Sequence, residues 1–286
     1  MQELKQTSES VNMRKYHIPC ADRINSNNLD TSSWLNNLTY LKTIDGSKSN
    51  MSHKKILEGI LDNKNDVVVK ISDQHESIKH EYDMYTLLID NNITGIVHYY
   101  CYFECKDDIS KAPNNGALCK GQGNTMRILV MEYIKNKSFA LHKWHNTDII
   151  KSLIKQVLCI SVDAFLKFGF VHGDLHCNNI LFKKSTRELL IFIIDGKKVT
   201  INTNGYKAKL MDFELSKINQ SIHVFYNDIA LCFASSLIRY IAQYLQNPLF
   251  LNDITREMMK LRENAKIPID AKNLLSDKMF SLIDKL

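Results

Sequence analysis

The chain has 286 residues, 44% apolar and 24% charged, with only 4 prolines and 10 glycines. That composition fits one large globular domain or two modest lobes, and excludes long linkers and low-complexity tails. The formal charge of +6 is a mild excess, read as spread along the chain without a block of like charge. It predicts a lysine-rich solvated surface or an attraction for an anionic partner such as ATP, an acidic protein or a membrane surface.

Residues 1–30 are polar and weakly patterned, and residues 1–40 read as an arm, disordered or loosely docked. "SSWLNNLTYLKTI" reads as a short helix or the lead into a strand, and "ILEGILDNKNDVVVKI" as two strands around a polar turn. "SIKHEYDMYTLLIDNN" places Ile78, Tyr82, Tyr85, Leu88 and Ile89 at helical spacing. "IVHYYCYFEC" is rich in strand formers, "KDDISKAPNNGALCKGQGNT" is a long polar loop, and "MRILVMEYI" is a buried strand.

Beyond residue 135 the texture changes. "TDIIKSLIKQVLCISVDAFLKFGF" predicts a long helix capped by Thr147 or Asp148 and stopped at Gly169. Four short strand-like runs follow, "NNILF", "LLIFIID", "KKVTIN" and "AKLMDF", with turns at "DGKK" and "NTNG". From about residue 222 the pattern is mostly helical. The expected division is an arm at 1–40, a strand-rich lobe with one helix at 41–134, and a helix-rich lobe with a small β insert at 135–286.

Seven cysteines without regular spacing predict free thiols, since no His or Cys pair completes a zinc pattern. The N-terminus lacks an apolar signal-peptide core, and no apolar run reaches the ~18 residues of a membrane helix. A soluble, cytoplasmic protein is the expectation. Nothing in the pattern argues for nucleic-acid binding; the aromatic run "HYYCYFE" reads as core strand.

The stretch "FVHGDLHCNNILF", residues 170–182, sets His, Asp, His and two Asn between apolar runs. Polar residues held that densely need partners or a task. Three further signals lie around it. Lys70 ends the buried strand "VVVK", where an unpaired ammonium is costly. Glu81, on the following helix among its apolar positions, is a suitable partner, with Glu76 as the alternative. Asp212 ends the apolar strand "KLMDF". Lys, Glu, Asp174, Asn179 and Asp212 together suit phosphoryl transfer from a nucleotide, where positioning and charge neutralisation do most of the work.

At these residues the chain resembles the protein-kinase-like superfamily. "VVVK" resembles the strand-three lysine motif, and "VHGDLHCNNILF" resembles the catalytic loop H-R-D-L-x-x-x-N. "MDFE" resembles D-F-G, "ILVMEYI" the hinge strand, and "YNDIALCFASSL" the start of helix F. The resemblance implies an α+β, bilobal fold: an antiparallel β-sheet lobe with one helix, then a mainly helical lobe carrying an inserted hairpin. It implies that Lys70, held by Glu81, grips the phosphates of ATP, and that Met131 is the gatekeeper. The backbone of Glu132, Tyr133 and Ile134 would meet the adenine. Asp212 and Asn179 would bind Mg²⁺ or Mn²⁺, and Asp174 would act as base. His176 stands where serine/threonine kinases carry a lysine that steadies the transferred phosphate. His172 is expected to be structural, and Asp228 to bond the catalytic-loop backbone.

Departures are clear in the same residues. The glycine-rich loop is reduced to Gly46 and Gly59, and Glu214 replaces the glycine of D-F-G. Asn179 and Asp212 are 33 residues apart, which implies an inserted hairpin; Asp212 and Asp228 are only 16 apart, too few for an ordinary activation segment. These features resemble the divergent kinases of large DNA viruses, of the poxvirus late virion type, which would put the protein in host cytoplasm or virion. The resemblance implies a serine/threonine protein kinase acting on a protein hydroxyl. A small-molecule kinase of the aminoglycoside or choline kinase type stays open through His176 and the short segment. A pseudokinase binding module stays open through the poor glycine loop and Glu214.

Overall fold

The computed structural model describes residues 38–43, 54–61, 65–73, 77–107, 123–135, 138–140, 146–232, a few positions between 253 and 260, and 275–284. Gly46 lies outside these, as do most of the expected arm, the long polar loop and much of the expected C-terminal helical region. Two compact units emerge, one made of Met1–Tyr82 with His98–Tyr133, the other of Asp83–Val97 with Ile134–Leu286. Among the described residues, no helix is long and apolar enough to cross a membrane.

The first unit is built on a five-stranded sheet in the order β1-β2-β3-β5-β4, every pairing antiparallel. The strands are β1 (Leu38–Thr43), β2 (Lys54–Leu61), β3 (Asn65–Ser72), β4 (Tyr99–Asp107) and β5 (Asn124–Glu132). Side chains alternate between faces along a strand. Val67, Val69 and Ile71 therefore share one face of β3, and they join Leu57, Leu61, Cys101, Met126, Ile128 and Val130 in a core cluster. The opposite face receives Val68, Lys70 and Ser72. Register puts Met131 opposite Val68 and Leu129 opposite Lys70, so the gatekeeper candidate shares a face with the lysine. α1 (Ser77–Asp90) begins in this unit, and its Tyr82 ring stacks on Tyr102 at 4.8 Å and meets Tyr99 edge-on at 5.3 Å.

The second unit is organised by α2 (Thr147–Phe168), buried along most of its length. Its N-cap is Asn146, whose side chain accepts from the Asp148 N–H at 2.8 Å, rather than Thr147 or Asp148 as expected. Either residue would have served by chemistry, but helical geometry starts one residue earlier, and Asn is as good a cap. Gly169 closes the helix in the left-handed conformation, with φ 58°. A Cβ there would lie 2.9 Å from the Gln220 nitrogen, so glycine is required both by backbone angle and by space.

After α2 come β6 (Ile180–Lys184) and β9 (Tyr206–Leu210), paired with each other, and between them the hairpin β7 (Leu189–Ile194) and β8 (Lys197–Asn202). Asp195 and Gly196 turn that hairpin with φ 48° and 72°, the positive pair a tight two-residue turn demands. The inserted hairpin read from the spacing is thus present. α3 (Ile222–Leu231) and α4 (Asp277–Asp284) complete the described elements. The α+β class that the resemblance implies is the class observed.

Cys101, Cys159, Cys177 and Cys232 are buried thiols outside any disulfide, the redox state expected of them. Cys105 is disulfide-bonded, so the reading of all cysteines as free thiols fails there.

Candidate active site

In the first unit, Lys70 and Glu81 form a buried ion pair. The ammonium lies 2.7 and 2.9 Å from the two carboxylate oxygens, and the side chains are 1% and 0% exposed. The choice of Glu81 over Glu76 is explained by the helix: position 81 shares its inward side with the buried Ile78, Tyr85 and Leu88. A desolvated pair of this kind is not needed for stability, since apolar residues of similar volume generally do as well.

The hinge candidates continue from β5. Met131 is buried. The Glu132 N–H donates to the His98 carbonyl at 2.8 Å, and the Tyr133 N–H donates to the Asp66 carbonyl at 3.1 Å. Two of the three backbone donors expected to meet an adenine are therefore committed within the unit. Burial, then the neighbouring Glu58 carboxylate, pushes the Tyr133 phenol up to about 12.

In the second unit, the catalytic-loop candidates are held by α3. Asp228 accepts the His172 and Gly173 N–H groups, both at 3.0 Å. Burial raises its carboxyl to about 6, the backbone donors opposing the rise and the Asp174 charge adding to it. His172 is fully buried, and burial pushes its imidazole down to about 4, so the ring is neutral near pH 7. Its Nε2 lies 2.9 Å from the Met211 carbonyl and donates to it. It is a structural histidine, as expected.

Gly173 replaces the arginine of the usual loop for a local reason. Its φ is 79°, and a Cβ would fall 2.3 Å from the Leu215 carbonyl oxygen. Asp174, half exposed, lies 3.4 Å from His176, whose Nδ1 accepts the Asn178 N–H at 3.2 Å. With Nδ1 accepting, Nε2 carries the proton and points it at the Asp174 carboxylate. Asn179 donates its amide to the Asp174 carbonyl at 2.9 Å, which keeps its Oδ1 available as a ligand.

The Met211 N–H donates to the Asn179 carbonyl at 3.1 Å, so the next residue, Asp212, is brought beside Asn179. Asp212 has φ 68°, a left-handed conformation uncommon for a non-glycine residue. Its N–H donates to the Tyr85 hydroxyl at 3.1 Å. The Tyr85 ring, fully buried, packs edge-on against Phe213 at 4.7 Å, and Phe213 also meets Phe170 and His172. Tyr85 sits one helical turn beyond Glu81 on α1. It was legible only as an apolar helix position; the one signal for more was its i+4 spacing from Glu81.

Among the described residues, no three His, Cys, Asp or Glu side chains cluster as a metal cage. One aspartate and one asparagine match instead the way Mg²⁺ is held when it arrives on a nucleotide, by one or two protein oxygens plus phosphates and water. The donors present fit such an ion.

Part of the chain is similar to protein-kinase-like proteins. The RIO domain model, which is protein-kinase-like, matches residues 121–223. The haspin serine/threonine-protein kinase homolog of Arabidopsis thaliana is 37% identical over 84 residues, 29% of this chain and 14% of the relative. Haspin from Bos taurus is 32% identical over 80 residues, covering 28% of this chain and 10% of the relative. An uncharacterized Caenorhabditis elegans protein is 30% identical over 109 residues, covering 37% and 32%. The matched stretch thus spans a third or less of each relative's length. The crystal structure of an Stt7 homolog from Micromonas algae soaked with ATP aligns with TM-score 0.41 and 15% identity, over 63% of this chain and 50% of that one. The RIO and haspin matches support the protein-kinase-like superfamily over the part of the chain that they cover.

Proposed function

We propose that the chain is an ATP-dependent phosphotransferase, a serine/threonine protein kinase that transfers the γ-phosphate of Mg-ATP to a protein hydroxyl. The observation that carries this reading is the buried Lys70–Glu81 pair. Two fully desolvated charges are costly, and a phosphate group is the natural third partner for a lysine so held. Lys70 would steady the α- and β-phosphates, and Asp212 with the Asn179 amide oxygen would hold Mg²⁺, whose charge would offset that of the phosphates. Asp174 orients the acceptor hydroxyl and takes its proton as oxygen bonds to the γ-phosphorus and ADP leaves. His176, directed at Asp174, orients that carboxylate. Ile134 and the neighbouring carbonyls read the adenine edge; Gly46 is the one glycine assigned to the phosphate loop.

Regulation by loop phosphorylation is not part of this reading. The segment after Asp212 is tied to residues 168–171 by four backbone hydrogen bonds: Val171 with Lys217 in both directions, Asn219 to Phe168 and Gln220 to Gly169. Gly173 leaves no arginine in the loop to read a phosphate. The short segment and the inserted hairpin are also what supports kinship with viral kinases of the virion type. A small-molecule acceptor is the second reading, favoured by His176 at 3.4 Å from Asp174, where protein kinases carry lysine.

The test is transfer of labelled γ-phosphate from Mg-ATP by purified protein, wild type beside Asp212→Ala. Casein, a basic protein and the enzyme itself serve as acceptors. Label on protein, lost in the variant, is expected, and acid hydrolysis then identifies phosphoserine or phosphothreonine. ATP binding without label on any protein would remove the protein-kinase reading in favour of the second.

A further inference from the structure

The inserted hairpin has two unlike faces. Phe192, Ile194 and Ile201 are buried on the side that packs against α2, where the Ser152 hydroxyl donates to the Asn202 carbonyl at 2.6 Å and the Asn204 amide to the Asp148 carbonyl at 2.9 Å. The other face leaves Leu189, Ile191 and Ile193 exposed by 49, 52 and 59%. Their cross-strand neighbours Asn202, Thr200 and Lys198 share that face. Three aliphatic side chains in a row at that exposure form a continuous stripe rather than scattered surface residues. Among the described residues β7 pairs only with β8, so its outer edge keeps a row of backbone donors and acceptors.

Charge gathers at the same place. From Lys183 to Lys209 there are seven basic residues and two acidic ones, a net +5 (7 − 2) against +6 for the whole chain. The even spread of charge expected from the sequence is thereby corrected: the net excess sits almost wholly on this insert. Lys198 pairs with Ile193 and is exposed on the stripe's face; Arg187 and Lys197 are exposed next to the ends of β7 and β8, and Lys183 and Lys184 are exposed on β6.

We propose that this hairpin is a docking site for an extended, acidic segment of a partner protein, which adds to the free edge of β7 as a further strand. Its alternate aliphatic side chains would cover Leu189, Ile191 and Ile193, and its Asp and Glu residues would meet the basic rim. At about 3.3 Å per residue the stripe takes a segment of four or five residues. A strand is the occupant that uses both features, the edge hydrogen bonds giving affinity and the alternating contacts giving selectivity. A lipid surface would leave the edge groups unsatisfied in hydrocarbon, and the hairpin tip is charged by Asp195, Lys197 and Lys198. A second copy of this chain would bring the same +5 against itself. The site is independent of the phosphotransfer reading.

The test uses the full chain, wild type beside Ile191→Glu/Ile193→Glu, both substitutions at exposed positions, with unchanged circular dichroism and melting as the folding control. A phage-displayed library of short random peptides is selected against each. Wild type is expected to enrich peptides with Val, Ile or Leu at every second position and Asp or Glu beside them. The winning peptide should bind the variant at least about tenfold more weakly, as loss of two aliphatic contacts implies. Lys197→Glu/Lys198→Glu, which keeps the stripe, should also weaken it, and added salt should weaken binding to wild type. Amide exchange at residues 189–194 should slow on binding. The proposal is overturned if wild type and variant enrich the same peptides, or if the enriched peptides lack the alternation or the acidic residues. It is also overturned if the stripe instead mediates sedimentation with phosphatidylserine vesicles, or a concentration-dependent dimer, without peptide selection.

Discussion

Removing one oxygen from Tyr85 should loosen Asp212, the aspartate proposed to hold Mg²⁺, without unfolding the protein. The Tyr85 hydroxyl accepts the Asp212 N–H at 3.1 Å, and Asp212 stands at φ 68°. A left-handed non-glycine residue costs about 1–2 kcal/mol, and a single hydrogen bond returns about 1 kcal/mol. Tyr85→Phe keeps the ring on Phe213 and deletes only that bond. Losing about 1–1.5 kcal/mol of local preference should reduce the population with the carboxylate in place by roughly tenfold. The assay is calorimetric titration of ATP at a series of Mg²⁺ concentrations, with turnover measured alongside. Apparent Mg²⁺ affinity should fall by roughly five- to tenfold, while melting drops by only a few degrees, about 2–4 °C per kcal/mol for a chain of this size. Unchanged Mg²⁺ dependence and unchanged turnover would refute the idea that Tyr85 positions Asp212.

Glu81→Leu should lower stability by about 3–5 kcal/mol, because Lys70 is left buried and unpaired. Lys70→Met/Glu81→Leu should recover most of that in chemical denaturation yet stay inactive. Gly173→Ala should cost more than the usual glycine-to-alanine change, since the new Cβ meets the Leu215 carbonyl at 2.3 Å; a fall in both melting temperature and turnover is expected. His172 binds its proton less readily folded, at about 4, than unfolded, near 6.5. Stability should therefore decline as pH falls from about 6.5 to 4, by up to about 3 kcal/mol. Asp228, raised to about 6, acts in the opposite sense, favouring the fold as it takes up a proton between about 6 and 4. Urea unfolding of Asp228→Asn across that range should therefore show a steeper acid loss than wild type, and a shallower loss would contradict the assignment.

Local signals in the sequence covered a good part of the fold. Apolar runs around a polar turn marked β2 and β3, and a further apolar run marked β5; helical spacing marked α1 and α2; Asp-Gly marked the hairpin turn. Lys70 and Asp212 were legible because each ends an apolar run, Glu81 by its helical position, and Asp174 by its place in a dense polar cluster between apolar runs. The N-cap was displaced by one residue, because three adjacent residues could all cap. The disulfide at Cys105 was missed because spacing along the chain says nothing about distance in space.

What the sequence determined by itself was the set of chemical groups and the elements that carry them, since propensity and periodicity act within a segment. Tertiary structure decided what those groups touch. The Tyr85 hydroxyl reaches Asp212 across 127 residues, and Asp228 reaches the loop across 55 and 56. It decided too that Gly173 must be glycine, through the Leu215 carbonyl, and that Leu189, Ile191 and Ile193 face outward. β7 is apolar at every position, so its sequence does not distinguish the two faces; which one is buried depends on what packs against it, and here α2 takes the face of Phe192 and Ile194.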